Sequence, residues 1–241
     1  MWIDPLLAYA ETDKAEDSPL VDAFRRLLHS GDEGVKEELR SRFVLAAQNG
    51  SCLALCVCCR LYAAHALVGV SAAEVFRWAQ VAPDHGYAPG VCQLGEFYEA
   101  GLGTQRSTEL ANSCYERAYE LGYGFAAYLI AMREDMSTPG LSNSTDSLSW
   151  LVKASALGVP LAAYELAKRF EFGEGVAPDG AKAAHWYSRA SELGSFFASS
   201  RLSQAYGFGD LGLESNADLS DTYAARAAAQ IGHDENMAPP H

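Results

Sequence analysis

The chain has 241 residues, enough for one elongated domain or two small globular ones, and 49% of them are apolar, so a continuous core is expected rather than wholesale disorder. Its formal net charge is -13, and its 18 basic side chains are scattered rather than striped, which argues against a phosphate-binding surface and so against nucleic acid. No apolar run approaches the roughly 20 residues of a membrane-spanning helix, and Met1-Trp2-Ile3-Asp4-Pro5 lacks the basic-then-apolar order of a secretory signal, so a cytoplasmic protein without membrane association is expected.

The acidic surplus is strongest at the start, where residues 1–38 hold ten acidic and four basic side chains. Solubility accounts for such a surplus, and it also suits electrostatic steering of a basic partner. Pro19 to His29 and Val35 to Gln48 read as two helices of a divergent N-terminal cap covering residues 1–49.

From there a period takes over. Glycines fall at Gly50, Gly86, Gly122, Gly158 and Gly194, each 36 residues after the last. A second series with the same step, Ser71, Ser107, Asn143, Asp179 and Ser215, consists of good helix N-caps, whose side chains accept bonds from the first free backbone amides. Ser71 with Glu74, and Asn143 with Asp146, have the spacing of a capping box. A third series is small (Ala54, Gly90, Ala126, Ala162, Ala198) and a fourth is bulky (Trp78, Cys114, Trp150, Trp186). Four registers agreeing on one period indicate a repeat architecture.

One unit can be followed in full. Asp179 caps a helix whose apolar face carries Ala183, Trp186, Tyr187 and Ala190, and Gly194 closes it in the left-handed conformation. A second helix begins near Ala198, buries Leu202 and Tyr206, and stops near Gly207 and Gly209. Each unit is thus a helical hairpin with one apolar flank open, and only stacking on neighbours buries that flank.

The segment from Ala162 to Gly194 carries a G-x-G-V turn (Gly173, Gly175, Val176), Asp179, Lys182-Ala183 and Trp186-Tyr187. In these elements it resembles the Sel-one-like repeat family, a relative of the tetratricopeptide repeat. The segment from Gly90 to Gly122 matches as well, with Leu94-Gly95, Tyr98, Gly101, Gly103, Ala111, Tyr115 and Ala118. Elsewhere the match thins. From Ala126 to Gly158 the turn becomes Ser137-Thr138-Pro139-Gly140, from Ala54 to Gly86 only Tyr62, Ser71, Trp78 and Ala82 fit, and the last unit, Ala198 to Gly232, is longer. The resemblance implies an all-α protein, a right-handed α/α superhelical solenoid of about five to six helical hairpins. It covers residues 50–232 and leaves 233–241 as a disordered tail.

Catalytic chemistry is not expected. The six histidines lie in distant segments, and none belongs to a zinc-protease helix, a nucleophile elbow or a phosphate loop. No histidine sits at ligand spacing from the six cysteines, which read as buried reduced thiols, so neither metal nor cofactor is anticipated. The repeated aromatic residues are core before they are ligand contacts.

The family resemblance implies a non-catalytic adaptor whose first helices line a groove for a protein or peptide. Contacts are then expected where the repeats disagree: Arg60, Gln93, Glu96, Phe97, Met132, Arg133, Glu165, Lys168, Arg169, Arg201 and Gln204. Arginine and aromatic side chains commonly anchor interfaces. A bacterial immunity protein or effector chaperone, holding a basic toxin or effector, is one form of this reading; arginine outnumbers lysine 13 to 5, as GC-rich genomes tend to produce. The alternatives are a hydrolase of cell-wall or β-lactam-type substrates and a structural protein that self-associates, for instance as a homodimer.

Overall fold

The computed structural model describes Leu6 and residues 18–67, 69–137 and 145–234. Among the described residues there are twelve helices and no strand. In chain order they are α1 (Ser18–His29), α2 (Glu33–Gln48), α3 (Cys52–Ala63), α4 (Ala72–Ala79), α5 (Ala88–Ala100), α6 (Thr108–Glu120), α7 (Gly124–Ser137), α8 (Thr145–Ala156), α9 (Pro160–Phe172), α10 (Gly180–Glu192), α11 (Phe196–Phe208) and α12 (Ala217–Asp234). They form six successive hairpins, and contacts divide the chain into two compact units, one ending at Ala126 and the other beginning at Ala127.

In the first unit, α1 and α2 form the divergent hairpin anticipated at the N-terminus. The Asp32 carboxylate accepts from the amides of Gly34 and Val35 and starts α2, and Phe24 meets Phe43 edge-on at 6.2 Å. The apolar stripe of α3 is buried almost whole, from Leu53 to Cys59. Val75, Phe76 and Ala79 of α4 pack with Cys59 of α3 and with Leu94 and Phe97 of α5. The second unit repeats the plan. Ala163 and Ala167 of α9, Ala183, Tyr187 and Ala190 of α10, and Ala198, Leu202 and Ala205 of α11 form one cluster, with Trp186 packed against it.

The sequence period has a direct conformational meaning. All five period glycines have positive φ, from 64° at Gly86 to 102° at Gly194, in the region where a Cβ is disfavoured; Gly50, Gly122, Gly158 and Gly194 directly follow the ends of second helices, whereas α4 ends at Ala79 and Gly86 closes the turn beyond it. The small series is fully buried at Ala54, Ala126, Ala162 and Ala198. At Gly90 even a methyl is too much: a Cβ there would lie 2.3 Å from Ala82 Cβ and 3.3 Å from Cys56 Sγ.

The turn inside a hairpin is equally regular. Gly101, Gly173 and Gly209 end α5, α9 and α11 in the left-handed conformation. The amide of each following N-cap then donates back to the first helix: Ser107 to Tyr98 O at 2.9 Å, Asp179 to Phe170 O at 2.8 Å, Asn216 to Tyr206 O at 2.8 Å. The last of these turns is one residue longer, which locates part of the extra length of the final unit. It also corrects the cap expected at Ser215, because the Leu219 amide donates to Asn216 Oδ1 at 3.0 Å. Ser71, Ser107 and Asp179 cap α4, α6 and α10 as anticipated, Ser71 in a capping box with Glu74.

At the end of the described residues, Gly232 lies inside α12, which runs to Asp234. The Thr138–Gly140 part of the degenerate turn, the cap at Asn143 and the rest of the tail lie outside the described residues.

Candidate functional site on the first helices of the hairpins

The first helices α3, α5, α7, α9 and α11 carry the eleven candidate residues, and the register sorts them into three columns. The column at 60, 96, 132, 168 and 204 keeps its side chains at the surface: Arg60, Glu96 and Gln204 are exposed, Met132 and Lys168 half-buried. The column at 93, 165 and 201 is more enclosed, with Glu165 and Arg201 half-buried and Gln93 only 7% exposed. In the column at 97, 133 and 169, Arg133 is half-buried, while Phe97 is 3% and Arg169 4% exposed.

Phe97, Gln93 and Arg169 therefore do not belong to a binding surface. Phe97 sits in the core, with Phe76 at 6.4 Å between ring centroids. Arg169 is committed to its neighbours: Nη1 donates to Ser147 Oγ at 3.0 Å and Nη2 to Asp135 Oδ2. Ser147 Oγ in turn donates to Ala131 O at 3.2 Å. This buried network ties α9 to α7 and α8. Disagreement between repeats, the expected sign of surface, here marks an exchange of internal partners. Glu99, Asp135 and Glu171 occupy equivalent places at the ends of first helices. Glu99 and Glu171 accept from the hydroxyls of Tyr115 (2.8 Å) and Tyr187 (2.5 Å). The equivalent of those tyrosines in the middle repeat is Leu151, so Asp135 takes Arg169 instead.

Arg201 is also occupied. Its Nη2 donates to Glu171 Oε1 at 2.6 Å and to Asp210 Oδ2 at 2.5 Å, while Nε reaches Glu171 Oε1 at 2.9 Å. What remains is a polar, aromatic surface on α7, α9 and α11 of the second unit. Lys168 Nζ lies 3.4 Å from Glu165 and 5.9 Å above the Tyr164 ring. Burial pushes the Tyr164 hydroxyl up, opposed by Lys168 and Arg201. It pushes Tyr128 up to about 12, with Glu165 adding to the shift and Arg169 opposing it.

In the first unit the same column places Glu96 beside Arg60. Glu96 is open to solvent but crowded by protein, and desolvation pushes its carboxyl up to about 7, against the pull of Arg60 and with a further push from Glu99. A separate depression of about 430 Å³ opens between α2 and α4, with Glu37, Arg40, Leu45, Glu74 and Trp78 in its walls.

Cys56 and Cys59 have the C-x-x-C spacing of a redox dithiol. Both are buried in α3. Desolvation pushes Cys58 up to about 12, and Cys59 and Cys92 well above the ordinary thiol range, so these three are poor nucleophiles at neutral pH. Among the described residues no group of three or more His, Cys, Asp or Glu side chains is placed to hold a metal ion, and no helix is long and apolar enough to cross a membrane.

Successive helical hairpins joined by left-handed glycines define an α/α repeat protein. The Sel1 repeat family model matches residues 88–123, 160–195 and 197–230, which are the hairpins α5–α6, α9–α10 and α11–α12. The chain thus carries three Sel1 repeats, two with the G-x-G turn and the third with the longer turn that follows Gly209. Among solved structures it is similar to a Sel1 repeat protein from Oxalobacter formigenes, at 20% identity and a TM-score of 0.64 over 92% of each chain. It is also similar to two immunity proteins from Pseudomonas aeruginosa, at 17% and 16% identity and a TM-score of 0.65, covering 97% of this chain and 93% of theirs. At such identities the likeness establishes the fold, an all-α solenoid. A search of curated proteins finds no match.

Proposed function

We propose that this chain is a non-catalytic binding protein that holds one protein partner on the first helices of its hairpins. The observation that carries this reading is the sorting of the register. Packing consumes Phe97, Gln93 and Arg169, whereas Arg60, Glu96, Met132, Lys168 and Gln204 stay at the surface and differ chemically from repeat to repeat. A regular scaffold with one variable column offers specificity without altering the fold. Within this class the partner is a toxic protein whose action the chain blocks. The net charge of -13 favours a basic partner, and the likeness to proteins described as immunity proteins supports the role.

The test uses the tagged full chain as bait in lysate of the cells that produce it, beside a Met132→Ala, Lys168→Glu, Gln204→Ala variant. One stoichiometric partner, lost with the variant, is the expected result. Expression of that partner alone should arrest growth, and co-expression of this chain should relieve the arrest. A partner that is harmless when expressed alone refutes the immunity role; several weak clients, equally captured by both baits, refute the dedicated site.

A further inference from the structure

Two large aromatic side chains lie uncovered at one register position. Phe172 is 63% and Phe208 85% exposed, and each is the last residue of a first helix, directly before the left-handed glycine that ends it. They are 36 residues apart. Solvent-facing phenylalanine has no packing role, and its recurrence in successive hairpins is not accounted for by the cap, which the glycine provides.

The structure brings the two turns together. Arg201 Nη2 binds both Glu171, the neighbour of Phe172, and Asp210, two residues beyond Phe208, at 2.6 and 2.5 Å. The second turn also stacks on the first. A Cβ at Gly180, which follows the Asp179 cap, would lie 2.7 Å from the carbonyl carbon of Leu211. The two phenylalanines therefore share one edge of the second unit.

That edge is strongly acidic. Residues 171–180 and 207–221 contain seven carboxylates and no lysine or arginine. The cations that reach in are already engaged, Arg201 with Glu171 and Asp210, and Lys182 with Asp179 at 3.2 Å. Glu174, Glu214, Asp218 and Asp221, on these same segments, remain exposed. An apolar patch rimmed by charge of one sign is a recognition surface for a ligand of the opposite sign.

We propose that this turn edge docks a cationic protein segment in which lysine or arginine flanks apolar side chains: Phe172 and Phe208 take the apolar groups, and the surrounding carboxylates select the charge. This rests on the chain being a binding protein, and it places a contact outside the variable column of the first helices.

The experiment pans a library of random 12-residue peptides displayed on phage against the immobilised full chain. The expected selection is enriched in Lys and Arg beside aromatic or aliphatic residues. A synthetic peptide of the selected sequence should bind at least tenfold more weakly to the Phe172→Ala, Phe208→Ala variant. It should also weaken with Glu174→Lys, Glu214→Lys, and bind less as salt is raised. Thermal melting of both variants should match the parent, since the substituted side chains are exposed. An acidic or charge-neutral selection, no enrichment, or binding unchanged in the phenylalanine variant overturns the proposal. Sedimentation equilibrium supplies a separate check: a dimer that the phenylalanine variant dissociates would mean that a second copy covers the edge, and would also overturn it. Because the Met132, Lys168 and Gln204 variant leaves this edge intact, failure here and failure of the proposed binding function are read separately.

Discussion

Arg169 separates the two ways of reading this chain most sharply. If it is a surface contact, removing it weakens partner binding and leaves the fold alone. The structure requires the reverse. Its guanidinium is buried against Asp135 and Ser147, and Asp135 Oδ1 is itself buried without a hydrogen-bond partner among the described residues, so Asp135 has Arg169 to compensate its charge. Arg169→Met keeps the length of the stem but leaves that carboxylate unpaired. Breaking a buried ion pair from one side costs about 3–5 kcal/mol. At roughly 2–4 °C per kcal/mol for a chain of this size, the melting temperature should fall by about 6–20 °C. Adding Asp135→Leu removes the stranded charge, and the double variant should regain most of the loss, since replacing both members of a buried pair by apolar groups is often neutral or better. Urea unfolding of the parent, the two single variants and the double variant gives the coupling directly. A loss below about 1 kcal/mol for Arg169→Met, together with weakened partner capture, would refute the burial argument and return Arg169 to the binding surface.

Other outcomes follow from the same geometry. Gly122 has φ +90° with open space around it, whereas a Cβ on Gly103 would meet the Ala72 carbonyl oxygen at 2.3 Å; Gly122→Ala should cost about 1–2 kcal/mol, Gly103→Ala about 1–3 kcal/mol more, and equal melting temperatures would contradict the stacking of that turn on α4. Tyr187→Phe removes the hydroxyl that donates to Glu171 and should lower stability by about 1.5–3 kcal/mol in chemical denaturation; no change would mean that water replaces the bond. The Glu96 carboxyl, pushed up to about 7 from an ordinary 4.5, binds more protons folded than unfolded between those values, so its contribution to stability falls as pH rises through that window. Glu96→Gln should therefore raise the melting temperature at pH 8 and give no gain at pH 4.5, and a gain independent of pH would exclude this cause. The Cys58, Cys59 and Cys92 thiols should resist a disulfide reagent at pH 8 until the chain is unfolded; rapid labelling of the native protein at these positions would contradict their desolvation.

The backbone plan was legible because it rests on residues with few alternatives. A glycine that must be left-handed and a serine or aspartate that must cap a helix leave their mark at fixed steps, and the helices of the matched hairpins begin and end where those marks fall. The added residue before Asn216 was invisible as such, because Ser215 and Asn216 are both competent caps and only the turn geometry chooses between them. The candidate surface was legible in part. A residue that varies among repeats is either free of packing or exchanging one internal partner for another, and the sequence does not separate the two. Arg169 and Leu151 change together because one hairpin uses an arginine where its neighbours use a tyrosine. Phe172 and Phe208 stand at a register that also varies, with Ala64, Ala100 and Met136 in the equivalent places, and only the structure shows that the two phenylalanines are uncovered.

The glycines that end the second helices are joints at one fixed point of the period, and at Gly50, Gly122 and Gly158 no atom would crowd even an added methyl. Such a joint is a natural crossover point. Unequal recombination between two units, cut there, yields a hybrid that keeps every cap and every closing glycine in phase while inheriting its exposed residues from a different parent. New partner preferences can then arise by shuffling whole hairpins, provided that pairs that cross a joint, such as Asp135 with Arg169 across Gly158, are exchanged together.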